Sequence, residues 1–201
     1  MTTYSDLKYD FDFSSTATGV GTLVLLSTQT ASNSATISFT SGLDSTYDEY
    51  QFHFIDIHPR TDGANFAFQV STNGGSSYGV TQTNTQFRAY HFEDDSATQL
   101  AYNTSGDVAQ TTDLALITAE IGVGNGADEC CVGFMSLFNP SSTTYVKHYI
   151  SNNQTYNASN ISANNFVAGY FNTTTALNAI QFKMDSGNFD GIIKLYGVKK
   201  S

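Results

Sequence analysis

Tryptophan is absent from this 201-residue chain, and cysteine, lysine and arginine are scarce. Each shortage narrows what the chain can do. Eight Lys and Arg stand against 18 Asp and Glu, a formal net charge of −10 with a pI near 4.4. No basic stripe is present to meet a phosphate backbone, so nucleic acid is not an expected partner. The two cysteines, Cys130 and Cys131, are adjacent. In a strand they point to opposite faces, and a disulfide between them would need a strained peptide. Two free thiols are expected, at least one buried as a small apolar residue, in a fold not framed by disulfides. Apolar runs are short, Leu23-Val24-Leu25-Leu26 being typical, and far from a bilayer span. No membrane contact is expected. Residues 1–18 carry neither the basic start nor the apolar stretch of a signal peptide. Missing tryptophan also removes the broadest stacking face for a sugar.

What the chain does have is 15 Phe and 12 Tyr, with many β-branched residues beside them, which suits pleated, half-buried sheet. Its surface polarity comes mainly from Ser, Thr and Asn, which hydrogen-bond to water and turns without charged partners. Short strand-like segments recur between polar turns: 22–28, 34–40, 49–57, 65–72, 85–92, 130–138, 143–151, 165–171, 178–184 and 191–198. Phe66, Phe68 and Val70 share one phase, and Ile180, Phe182 and Met184 another, as in antiparallel sheet with one buried face. In 49–57 the phase slips between Phe54 and Ile55, which predicts a bulge or burial on both faces. Asn73-Gly74-Gly75-Ser76 reads as a hairpin turn. Asn139-Pro140-Ser141-Ser142 and Ser186-Gly187-Asn188 read as further tight connections. Residues 107–121 read as a long loop with an irregular strand. The pattern predicts an all-β, two-sheet antiparallel sandwich of jelly-roll type, with about ten strands and little or no helix. Residues 1–18 form an N-terminal arm and 19–201 a single domain.

Catalytic signatures are missing. No nucleophile elbow, zinc-protease helix or phosphate loop occurs, and Gly122-Val123-Gly124-Asn125-Gly126 reads as a flexible loop. His53, His58, His91 and His148 are scattered, with structural or partly exposed roles expected. Acidic residues cluster at Asp44/Asp48/Glu49, Glu93-Asp94-Asp95, Asp128-Glu129 and Asp185/Asp190. None has the spacing of a calcium loop, so solvated loop charge is the default and no cofactor is expected. A structural Ca²⁺ at Glu93–Asp95 is the one metal reading retained. Paired carboxylates for glycosidase chemistry cannot be placed from spacing. Five Asn-x-Ser/Thr sequons, at Asn103, Asn153, Asn157, Asn160 and Asn172, are expected to be unused. The chain is not expected to be an enzyme.

The blocks 47–79 (YDEYQFHFIDIHPRTDGANFAFQVSTNGGSSYG), 87–94, 136–151, 166–184 and 186–200 resemble a family of virion-associated proteins from marine tailed bacteriophages. The resemblance covers roughly residues 47–200 and brings no catalytic motif. It implies a β jelly-roll body in a phage particle, as a capsid decoration (cement) protein or a tail or fibre component. Synthesis in the host cytoplasm and release by lysis would then need no signal peptide. Expected partners are other virion proteins (the major capsid protein or tail proteins) and further copies of the chain, as a trimer. Tyr4, Leu7, Tyr9, Phe11 and Phe13 put apolar anchors along the polar arm, a pattern suited to strand addition on a neighbouring subunit or to covering the chain's own sheet edge. The alternative is a lectin-like tail or fibre module that recognises host surface glycans.

Overall fold

A computed structural model describes residues 21–119 and 121–200. Among these there is no helix, and twelve strands run antiparallel in two sheets. They are β1 Leu23–Ser34, β2 Ile37–Phe39, β3 Glu49–Pro59, β4 Phe66–Ser71, β5 Gln82–Phe92, β6 Thr98–Tyr102, β7 Ala115–Leu116, β8 Cys131–Phe138, β9 Lys147–Asn157, β10 Ile161–Phe171, β11 Ala179–Met184 and β12 Phe189–Val198. The large sheet has the order β1-β12-β3-β8-β9-β10-β5-β6, and the small one β2-β11-β4-β7. The all-β, two-sheet expectation holds, with twelve strands in place of ten.

The sheets meet through aromatic rings. Phe182 of β11 lies 5.1 Å from Phe52 and 5.3 Å from Phe54, both on β3. Phe68 of β4 sits edge-on to Tyr149 of β9 at 4.9 Å and to Phe171 of β10 at 6.0 Å. All of these side chains are buried, and edge-to-face geometry suits the ring quadrupoles. Tyr50, Phe52 and Phe54 point inward from β3, and the register then slips so that Ile57 is buried as well. Asp56, at φ 50°, is the residue that makes the slip. The bulge read from the sequence is there, and it keeps both ends of a long strand facing one core.

Three connections differ in kind. Asn139-Pro140-Ser141-Ser142 closes the β8–β9 hairpin, with the Ser142 N–H donating to Asn139 O at 3.1 Å. Asn73-Gly74-Gly75-Ser76 is a correction to the sequence reading. It joins no hairpin, because β4 pairs with β11 and β7 in the small sheet while β5 pairs with β10 and β6 in the large one. Its glycines turn the chain from one sheet to the other. Ser186-Gly187-Asn188 likewise carries β11 across to β12.

Eight strands cannot all be covered by four. The remaining inner surface, on β9, β10 and β5, is roofed by a strap running from about residue 103 to 123, whose β7 portion pairs with β4. A strap with so little strand structure presents bare peptide groups that need partners, and side-chain amides supply them. Asn153 donates to Ile117 O at 2.6 Å, Asn157 to Ile121 O at 3.1 Å, and Asn103 and Arg88 both to Ala119 O. Gln82 donates to Asp113 O at 2.7 Å and Gln86 to Gly106 O at 2.6 Å, while the Asn84 side-chain oxygen accepts from Val108 N–H at 2.9 Å. Gln82, Asn84, Gln86, Asn153 and Asn165 are all buried. This half of the interior is therefore polar because it faces backbone rather than side chains.

Candidate interaction face

Strand alternation fixes the opposite side of the same half-sheet. Where Gln82, Asn84 and Gln86 face in, Thr83, Thr85 and Phe87 face out. Where Asn165 and Val167 face in, Phe166 and Ala168 face out. Around Phe87 and Phe166 the polarity of an ordinary sandwich strand, apolar inside and polar outside, is locally reversed. Phe87 and Phe166 are directly opposed across β5 and β10, with rings stacked 4.7 Å apart at 7°. Tyr102 of β6 continues the row beyond Phe87, and Asn152 and Phe134 continue it beyond Phe166. Neighbouring rows carry Leu100, Val132 and Ile150. Leu100 is 73% exposed and Ile150 52%.

No Asp, Glu, Lys or Arg stands among the outward positions of β5, β6, β8, β9 and β10. Carboxylates appear at the rim, and three of them are held by side chains on the face. Asp107 accepts from the Tyr102 hydroxyl at 2.6 Å, Glu49 from Ser136 at 2.7 Å, and Asp95 lies 3.1 Å from His91 Nε2. Shallow grooves run between the aromatic rows. One, about 140 Å³, is lined by Phe87, Ile150 and Phe166; another, about 460 Å³, by Phe138, His148, Ile150 and Tyr170. Most of their wall is apolar. Such a surface can exclude water against another apolar surface, since its exposed Phe, Leu and Ile side chains stand among outward strand positions free of Asp, Glu, Lys and Arg.

The residues singled out from the sequence do not gather at this face as a catalytic set. Tyr4, Leu7, Tyr9, Phe11 and Phe13 lie outside the described residues. His53 packs 4.7 Å from the Tyr196 ring, and burial, with the Lys194 charge, holds its pKa below the usual histidine range. His58 bonds to Gly126 O at 3.0 Å, and His148 lies 6.0 Å from Tyr170. Glu93-Asp94-Asp95 forms the tip between β5 and β6. Asp94 accepts hydrogen bonds from Ser96, which lower its pKa. Among the described residues no three His, Cys, Asp or Glu side chains come together as a metal-binding group. Gly122–Gly126, read as a flexible loop, is instead pinned: Val123 N–H donates to Ala64 O at 2.9 Å and Gly124 N–H to Tyr156 O at 3.4 Å. The Glu129 carboxylate caps the Gly126 N–H. Both cysteines are free thiols. Cys131 is buried, and desolvation pushes its pKa up to about 12. Three sequon asparagines, Asn103, Asn153 and Asn157, already spend their side-chain nitrogens on the strap.

Sequence reasoning missed the face itself. Alternation alone does not say which phase is solvent-facing, and Phe87, Phe134, Phe166 and Tyr102 are each 38% or more exposed. The available signal was the alternation in 85–92 and 165–171, which puts an amide residue next to each exposed Phe. The phase of Gln86 becomes interpretable only once the strap is seen to need amides, and that of Asn165 once its bonds to Asn153 and Thr155 are seen. Comparison with known proteins finds no matching family model, no matching curated protein and no matching solved structure.

Proposed function

We propose that this chain is a structural protein of a tailed-phage virion, a jelly-roll decoration protein on the outer capsid that acts by contact rather than by catalysis. The observation that carries the reading is an outward face with exposed Phe, Leu and Ile side chains and no Asp, Glu, Lys or Arg, on an otherwise acidic chain. Exposed apolar patches of this extent mark contact sites, and a particle subunit has neighbours to cover them. The jelly-roll reading is supported by strand order. With the inserted pairs β5–β6 and β9–β10 set aside, eight strands remain, ordered β1-β12-β3-β8 and β2-β11-β4-β7. First pairs with last, second with second-last, third with third-last and fourth with fifth, the nesting of two Greek keys. The resemblance of blocks within 47–200 to marine phage virion proteins points the same way.

In this reading the partners are the major capsid protein and further copies of the chain in a trimer, with no nucleic acid, membrane or cofactor. The arm anchors Tyr4, Leu7, Tyr9, Phe11 and Phe13 add a strand to a neighbouring subunit. Quantitative mass spectrometry of purified particles tests the location. A copy number comparable to the major capsid protein supports decoration, and absence from the particle overturns the reading. Recovery in tail-like numbers transfers the chain to the alternative, a glycan-binding tail or fibre module. One observation favours that second reading: Asn152, Asn164 and Gln154 stand among the outward aromatics, and amides beside rings are groups that bind neutral sugars. A glycan array distinguishes it.

A further inference from the structure

We propose that the outward face of β5, β6 and β8–β10 is covered by a second copy of this chain. The inference rests on the contact-surface reading above and names the occupant. Polarity supplies the first argument. Phe87 and Phe166 are exposed while the buried neighbours Gln86 and Asn165 point inward. Gln86 donates to the strap at Gly106 O and Asn165 to Asn153 and Thr155 of β9, but the outward rings have no ring partner among the described residues beyond each other. Charge supplies the second. Two copies at −10 each repel, and an approach is tolerable where the meeting surfaces carry no charge of their own. A cationic partner would instead be met by outward carboxylates, and the face has none.

Area supplies the third argument. Five strands about 4.8 Å apart, averaging about nine residues at about 3.3 Å, give a flat footprint of about 700 Å². Accessible area exceeds its flat projection, which brings the face near the roughly 800 Å² per partner of a standard-size interface. The shallow grooves beside Phe87 and Ile150 are of the kind that protruding apolar side chains from a second sheet fill.

The test is the mass of the full chain in solution, by light scattering over a concentration series. A multiple of the 21.7 kDa single-chain mass is expected. Leu100→Lys and Ile150→Lys, each placing an unpaired charge in the contact, should weaken association by about 100-fold or more. Both positions are well exposed, and an unchanged thermal melt shows that the variants fold. Thr28→Lys, on exposed β1 of the same sheet but outside the face, should leave association intact. Added salt should strengthen it by screening the like charges. A single-chain mass at every concentration overturns the proposal, as does association that Leu100→Lys and Ile150→Lys leave intact. Capture by a glycan that Leu100→Lys abolishes, with no change in mass, overturns it too. A single-chain species that particles nonetheless carry in capsid-like numbers removes this occupant and leaves the contact reading standing. Self-association through the face by a chain missing from particles does the reverse.

Discussion

Asn153 points inward from β9 and gives its side-chain N–H to Ile117 O, while its oxygen accepts from Asn165 at 3.0 Å. Asn152, next to it, points outward and donates to Asn164 at 2.9 Å. Asn153→Ala strands a buried carbonyl and a buried amide and should destabilise by about 2–4 kcal/mol. Asn152→Ala should stay within about 0.5 kcal/mol. Chemical denaturation of the two variants checks the contrast, and equal effects would remove the buried-amide account. Acid should act through Asp190 and Asp44. The Arg60 hydrogen bond holds the Asp190 carboxyl below its usual 3.8, and hydrogen bonds from Thr46 do the same for Asp44. A folded value below the unfolded one means that this stability is fully present above 3.8 and lost as pH falls below it. The Arg60–Asp190 pair is partly exposed, so Arg60→Ala should cost only about 0.5 kcal/mol at neutral pH. It should also flatten the loss of the urea midpoint on acidification, which a pH series of melts reads directly.

At the scale of elements, the strap is held down by 122–124 as well as by amides. Gly122 has φ +69°, and a Cβ there would sit 2.4 Å from Gly63 O. Gly122→Ala should therefore destabilise by about 1–3 kcal/mol through strain and backbone displacement. Faster hydrogen exchange in 115–123 than in β3 of the same variant would locate the damage; uniform loss would argue that strap and sheets unfold as one. Legibility from sequence followed the polarity of each strand. β4, β11 and the bulge in β3 were readable because Phe66, Phe68, Phe182 and their neighbours alternate against a dry core. Residues 152–157 and 161–164, the polar halves of β9 and β10, were not, because Asn, Gln, Ser and Thr in both phases read as loop. β6 was missed for a related reason: Thr98–Tyr102 is an exposed edge strand with no buried phase to follow. The Asn73–Ser76 turn was readable as a turn, but whether it closes a hairpin or changes sheets depends on contacts far away in the chain.

For the whole molecule, an eight-stranded sheet against a four-stranded one leaves an overhang, and its two sides were settled differently. The inside is closed by the chain itself, through the strap and its buried amides. The outside, with Phe87, Phe166, Leu100 and Ile150 on an uncharged surface, needs something beyond the described residues, and the account assigns that role to neighbours in a virus particle. A cryo-EM reconstruction of the intact particle tests this most directly. The account predicts density for the two sheets on the outer surface of the capsid shell, with the face of β5, β6 and β8–β10 buried against a neighbouring copy. Density for the chain at the tail with that face open to solvent, or no density for it at all, would contradict it.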